Sequence, residues 1–290
     1  MGKEKVLVTG SNGQLGKELQ KIASQYANYE FIFHDIDTLD IYSPENIEAV
    51  IPKDTSIIIN CAAYTAVDKA ETEELNAEKA NTDGPRFLAL FAEKYNIHLI
   101  HVSTDYVFDG KSYIPYTEED KINPISVYGR TKLEGEHAIK SSGCNATVIR
   151  TSWLYSSFGN NFVKTILKLS SEREQLGIVF DQVGTPTYAL DLAYAILAVC
   201  GKRKEGFTLY HFANEGVCSW YDFAKEIASL AKNPCKILPI ETSDYPTLAT
   251  RPAYSVFNKK KIKTALNIEI PHWKDSLISC LKELGIGSDK

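Results

Sequence analysis

The chain predicts an α/β fold, a doubly wound parallel sheet with a smaller C-terminal lobe, and three observations carry that prediction. Short apolar runs alternate with helical patterns as far as about residue 150. A glycine-rich turn joins the first run to the first helical pattern, and beyond Arg150 the alternation becomes irregular.

Taken in order, Val6 to Thr9, Phe31 to His34, Ile57 to Asn60, Leu99 to Ser103 and Thr147 to Arg150 are compact and mostly apolar. Parallel strands buried on both faces read this way. Between the first two, Leu15, Leu19, Ile22, Ala23 and Tyr26 recur at helical spacing, and Ser43-Pro44 supplies an N-cap and a first-turn proline for the next helix. After Arg150 come the loop-like run 156–161, a helical stretch through Leu169 and a strand candidate from Ile178 to Phe180. Leu190 to Val199 reads as a buried helix and Thr208 to Phe212 as a strand. Ser219 opens a helix with a capping box and aligns Phe223, Ile227 and Leu230 on one face.

Composition narrows the function classes. With 32 basic against 37 acidic side chains the net charge is −5, and Lys259-Lys260-Lys261 is the one basic cluster, read as a solvated face. No nucleic-acid partner is expected. Six scattered cysteines without a CxxC pair point to buried thiols in a reducing compartment, and no metal site is expected. The first apolar strand begins too early to leave room for a signal peptide, and no apolar run approaches the ~20 residues of a membrane span. A cytoplasmic protein without membrane contact is the expectation.

The chemistry begins at Val6-Leu-Val-Thr-Gly10-Ser-Asn-Gly13-Gln-Leu-Gly16. A glycine turn between a strand and a helix lets backbone N–H groups approach a dinucleotide pyrophosphate, and the helix N-terminus adds positive potential. This makes the sheet Rossmann-type. Gly10, Asn12, Gly13, Gln14 and Leu15 are the expected pyrophosphate contacts. Asp35, 19 residues after Gly16, ends the second strand where a carboxylate can accept from an adenosine ribose, although Lys17 nearby leaves NADH against NADPH open. Asp40 and Ile41 end a short extended stretch and would flank the adenine. Ala62, Ala63 and Tyr64, just past the third strand, would let backbone pass beside the cofactor. Residues 1–155 are expected to form the dinucleotide-binding domain, rejoined by about 187–213, with 156–186 and 214–290 as the smaller substrate-binding lobe.

Tyr128 and Lys132, four apart, share one helix face. A phenol of pKa near ~10 needs help to exchange a proton at neutral pH, and an ammonium beside it stabilises the phenolate. Tyr128 is thus the expected general acid during a reduction, Lys132 its tuner and a hold on the nicotinamide ribose, and Thr104 a donor to the substrate carbonyl.

Several longer strings resemble the dTDP-4-dehydrorhamnose reductases of the extended short-chain dehydrogenase/reductase group. They are 60–71, Ser103-Thr-Asp-Tyr-Val-Phe-Asp-Gly110, 127–136, Arg150-Thr-Ser-Trp153, Gly159-Asn-Asn-Phe162, 181–187 and Arg251-Pro252. The resemblance implies reduction of the 4-keto group of dTDP-4-dehydro-β-L-rhamnose to dTDP-L-rhamnose by NADPH or NADH, in a monomer or homodimer. By motif it implies Thr104, Tyr128 and Lys132 as the catalytic set. Asp105, Tyr106 and Trp153 would border the sugar, and Arg251 would pair with the diphosphate. Some members use glutamates to bind magnesium, and only Glu18 matches that pattern here.

Rival readings keep the fold and change the chemistry. Another nucleotide-sugar 4-ketoreductase or an epimerase would share nearly the same site. A 4,6-dehydratase needs a base for water elimination, and its relatives carry Thr-Asp-Glu where this chain has Thr104-Asp105-Tyr106. A non-catalytic NADP-binding regulatory subunit would not need the complete Thr104, Tyr128 and Lys132 set.

Overall fold

The computed structural model describes residues 2–286; Met1 and residues 287–290, the last of them part of the expected smaller lobe, lie outside it. Five parallel strands, β1 (Glu4–Thr9), β2 (Tyr29–Phe33), β3 (Thr55–Asn60), β4 (His98–Thr104) and β5 (Ala146–Thr151), follow the expected runs. A sixth, Phe207–His211, returns late in the chain to pair with the outer edge of β5. Across the sheet the order is Phe207–His211, β5, β4, β3, β1, β2.

Burial explains the apolar runs. Val6, Val8, Ile57 and Ile59 pack on one face with Leu15, Leu19 and Ile22 of helix α1 (Gln14–Ile22) and with the helix Ala189–Cys200. Leu7, Ile58, Leu99 and Val148 point to the opposite face, against Leu88, Phe91 and Ile139. Successive residues of a strand face opposite sides, so a sheet clothed on both sides has no polar register to keep. Helix α1 stops at Ile22 and continues as one tighter turn, Ala23–Gln25, so Tyr26 lies just past the helix expected to include it.

The remaining chain builds its own core. Tyr155, Val163, Ile166, Phe223, Ile227, Trp273 and Leu277 gather from the helices Phe162–Glu172, Trp220–Leu230 and Trp273–Glu283. Ser219 accepts from the N–H of Asp222 and its own N–H donates back to the Asp222 carboxylate, forming the expected capping box. Ser43 likewise caps the helix Pro44–Val50.

Two readings of local structure change. Asp40 and Ile41 lie in a turn and not in an extended stretch, with the Asp40 carboxylate accepting from the N–H of Tyr42. Lys259, read as part of a solvated face, is buried. Its ammonium donates to the Asn214 carbonyl at 2.9 Å and lies 3.0 Å from Glu215, an anchor that a basic triplet does not reveal. All six cysteines are free, and among the described residues no helix is long and apolar enough to cross a membrane.

Candidate active site

The neighbours β1 and β3 lead to crossovers on opposite sides, and a parallel sheet leaves its ligand crevice at the carboxyl ends of such a pair. A cleft of about 740 Å³ opens there. Gly10, Gly13, Gln14 and Leu15 line one wall, Asp35 and Ile41 its far end, Ala62 and Ala63 its floor, and Thr104, Asp105, Tyr106, Tyr128, Lys132 and Trp153 the other end. Fourteen of the expected residues therefore meet in one cavity.

Gly10 makes that wall possible. Its φ is +62°, and a Cβ there would stand 2.6 Å from the backbone N of Ala62, so only glycine lets the β1 turn press against the end of β3. This close, side-chain-free backbone at the start of α1 is a cradle suited to a dinucleotide phosphate. The Asp35 carboxylate is partly engaged in holding it, since Oδ2 accepts from the N–H of Asn12 at 2.7 Å.

At the opposite end, Ser126 caps the helix Val127–Ser142 and sets Tyr128 and Lys132 in its first turns. The helix comes in close because of Gly129, where a Cβ would meet the Tyr106 carbonyl at 2.2 Å. That approach puts the Tyr128 ring edge-on to Tyr106, centroids 5.3 Å apart at 79°. The Tyr128 phenol is hydrogen-bonded to Thr104. The Thr104 hydroxyl also donates to Asp105 Oδ1 at 3.1 Å, and its bond to the phenol draws the Tyr128 pKa down.

Lys132 behaves otherwise than the sequence suggested. It is buried, and its nitrogen lies 2.7 Å from the Val102 carbonyl and 3.1 Å from His101 Nε2, turned under β4 and not towards the phenol. Burial pushes the Tyr128 hydroxyl up to about 12, and hydrogen bonding to Thr104 pulls it back only in part. The protein without cofactor therefore holds Tyr128 firmly as an acid. Burial also pulls Lys132 down to about 8. Asp105 is buried with Oδ2 lacking a hydrogen-bond partner among the described residues, and burial pushes its carboxyl up to about 6.

Four expected residues lie outside the lining. Asn12 reaches the site only through the bond to Asp35. Asp40 is turned into its own loop. Tyr64 is fixed through its N–H to Asn81 and its hydroxyl to Glu73. Arg251 grips Asp68 with both nitrogens, at 3.0 and 2.7 Å, instead of standing free for a diphosphate. A carboxylate 183 residues away cannot be paired with it from sequence.

The lining adds residues that the sequence reading passed over, among them Leu39, Tyr42, Thr65 and Ser152. Gly159, Asn160 and Asn161 also join, and Asn161 donates to Gln14 at 3.0 Å, tying that loop to the start of α1. Their string was noticed for its resemblance, which was the available signal. Glu18, outside the cleft, accepts from Ser156 at 2.6 Å with the Lys21 ammonium 3.7 Å away. Among the described residues no three His, Cys, Asp or Glu side chains gather as metal ligands.

A glycine cradle at the switch point facing a buried Tyr/Lys helix across one cleft defines a nicotinamide-dependent oxidoreductase of short-chain dehydrogenase/reductase architecture. Comparison with known proteins narrows this further. The RmlD substrate binding domain family matches residues 4–286. The dTDP-4-dehydrorhamnose reductase of Aggregatibacter actinomycetemcomitans is 41% identical over 284 residues, 94% of this chain and 97% of that one. A crystal structure of a dTDP-4-dehydrorhamnose reductase from Clostridium acetobutylicum matches with a TM-score of 0.91 at 41% identity, covering 97% of this chain and 99% of that one. One from Bacillus anthracis, in complex with NADP, has the same TM-score of 0.91 at 38% identity and the same coverage, 97% and 99%. The chain belongs to the RmlD substrate binding domain family, that of the dTDP-4-dehydrorhamnose reductases.

Proposed function

We propose that this protein reduces the 4-keto group of dTDP-4-dehydro-β-L-rhamnose to dTDP-L-rhamnose, using NADPH or NADH. The observation that carries the reading is the meeting of Tyr128, Thr104 and Asp105 in the cleft whose other end is the Gly10 turn. When bound, the dihydronicotinamide supplies a hydride to the carbonyl carbon. Tyr128, held protonated by burial, gives its proton to the carbonyl oxygen, and solvent later restores the phenol.

Thr104, hydrogen-bonded to the phenol, offers its hydroxyl to the ketone oxygen as well. Asp105 Oδ2 offers a buried acceptor to a sugar hydroxyl, and the Trp153 ring offers an apolar face to the sugar C–H groups. Backbone N–H groups at Gln14 and Leu15, in the first turn of α1, would hold the diphosphate of the cofactor, with Gly13 keeping the turn open and Ile41, Ala62 and Ala63 flanking it. Tyr106 stands where a dehydratase would need a carboxylate base, which favours simple reduction.

We assign residues 1–155 and about 187–213 to the cofactor and 156–186 with 214–290 to the sugar, in a cytoplasmic monomer or homodimer. The test supplies dTDP-4-dehydro-β-L-rhamnose with each cofactor, follows absorbance and identifies the product. One cofactor oxidised per sugar supports the reading. Turnover that leaves the cofactor balance unchanged would point to a dehydratase or epimerase and sink it.

A further inference from the structure

His101 lies on β4 with no exposed surface, and both its ring nitrogens are engaged. Nδ1 is 3.0 Å from the side-chain nitrogen of Asn60, and Nε2 is 3.1 Å from Lys132 Nζ. The direction of these bonds follows from the far end of the chain. The N–H of Ala62 meets the Asn60 side chain at 3.1 Å, on the same atom that takes the Thr9 hydroxyl at 2.7 Å. A backbone N–H only donates, so that atom is Oδ1. Asn60 therefore turns its NH2 towards His101, Nδ1 has to accept, and the neutral imidazole carries its proton on Nε2. That proton points at Lys132.

An ammonium has no lone pair, so a charged Lys132 would set two donors against each other in a buried site. A neutral amine removes the conflict by accepting from Nε2–H while donating to the Val102 carbonyl at 2.7 Å. Charging the imidazole would not help, because Nδ1 already faces a donor. We propose that Asn60 and His101 are positioning residues that hold Lys132 as a neutral amine in the cofactor-free protein, and that Lys132 takes up a proton from solvent when the dinucleotide enters.

The groups facing Lys132 are His101 from β4, Cys61 from the turn after β3, and Glu136 from its own helix. Burial raises the Cys61 thiol to about 12, so it brings no charge. The Glu136 carboxylate is occupied by Arg150 and Ser103. Burial alone lowers Lys132 and keeps His101 uncharged, in the same sense as the bond polarity. A bound dinucleotide brings negative diphosphate and ribose acceptors, and these favour the ammonium.

The uptake step rests on the cofactor reading proposed above; the tautomer does not, so the two can fail separately. Cofactor-free protein labelled with ¹⁵N-histidine is observed by two-bond proton–nitrogen correlation at about pH 9, above both the free imidazole value and the value of about 8 to which burial pulls Lys132. His101 is expected with a proton on Nε2 and a bare Nδ1. A proton on Nδ1, alone or with Nε2, would overturn the proposal.

Calorimetric titration with NADPH at about pH 9, above the ~6 of a phosphate's second ionisation, in buffers of different ionisation enthalpy then measures the proton. Uptake approaching one proton is expected, and heats independent of buffer overturn the coupling. Asn60→Asp keeps the shape and reverses the polarity. It is expected to move the His101 proton to Nδ1, give Nε2 to the Lys132 ammonium and reduce the uptake towards zero. Unchanged uptake in that variant also overturns the proposal, and if it does not fold, the wild-type tautomer still decides.

Discussion

The indole of Trp153 lies flat on that of Trp220, ring centroids 3.6 Å apart and 9° from parallel. Trp153 holds this place with a left-handed backbone, φ +48°, and lines the cleft while Trp220 does not. Trp220 thus backs the indole, and Gly184 lies close against its six-membered ring. Such a stack contributes about 0.5–1.5 kcal/mol beyond buried area. Trp220→Ala is therefore expected to raise the KM for nucleotide-sugar about three- to tenfold with the cofactor Kd unchanged. Steady-state kinetics with both ligands varied decides, and an unaltered sugar KM would show that the backing ring is irrelevant.

Tyr128→Phe removes the phenol proton assigned to the ketone oxygen and leaves the cleft wall in place. Turnover should fall at least about a hundredfold while fluorescence titration shows cofactor binding retained. Because the Tyr128 hydroxyl sits up near about 12, the wild-type reductive rate should show no loss attributable to this group as far as about pH 10. Near-normal turnover in the variant would remove the assigned proton donor.

Asp105 carries a pH signature in stability. Burial raises its carboxyl from the ordinary 3.8 to about 6, above that of the unfolded chain. Between these values the native state binds more protons than the unfolded state, so stability falls as pH rises through that window. The shift corresponds to roughly 2–3 kcal/mol. Asp105→Asn should exceed wild type by about that amount at pH 7, approach it near pH 4, and bind sugar more weakly. Urea unfolding at both pH values tests this, and a gain that does not depend on pH would refute it.

Gly129 sets the distance between the catalytic helix and the turn after β4. A methyl group placed 2.2 Å from the Tyr106 carbonyl must push one of them aside. Gly129→Ala is expected to lose about ten- to a hundredfold in kcat, the scale of a misplacement near 1 Å. The result to look for is a kcat loss in a variant whose circular dichroism is native; a fully active variant would mean the helix yields at no consequence.

Beneath the same strand, Glu136 receives Arg150 through Nε at 2.9 Å and Nη2 at 2.7 Å, both residues buried. Removing one partner strands a charge. Arg150→Met should lower unfolding free energy by about 3–5 kcal/mol, and adding Glu136→Leu should restore most of it. Denaturant midpoints of the three proteins provide the comparison, with equal losses in the single and double variants counting against the pair.

Much of this arrangement was legible in the chain because it is local. The triple-apolar centre of β3, the Gly10 turn and the Tyr128/Lys132 spacing each state their geometry within a few residues. What stayed hidden depends on partners brought from afar. Arg251 was expected at the diphosphate, and Asp68 takes it. Lys132 was expected to acidify Tyr128, but Val102 and His101, 30 and 31 residues away, turn it under the sheet. Nothing in helical spacing tells which way a long side chain leans once its neighbours can accept hydrogen bonds.

The late return of Phe207–His211 to β5 has a bearing on how such enzymes can be recombined. The chain crosses between the core against the sheet and the core around Phe223 several times, since Ala189–Cys200 and Ile262–Ile270 belong to the former and the stretches flanking them to the latter. Sugar recognition cannot be transplanted as one contiguous cassette. A fragment ending near Tyr155 would leave the β5 edge unpaired and bare an apolar flank, inviting strand addition from another molecule. Grafts between relatives must respect every crossing, so altered sugar preference is reached more readily by replacing single side chains around Trp153 than by swapping a module.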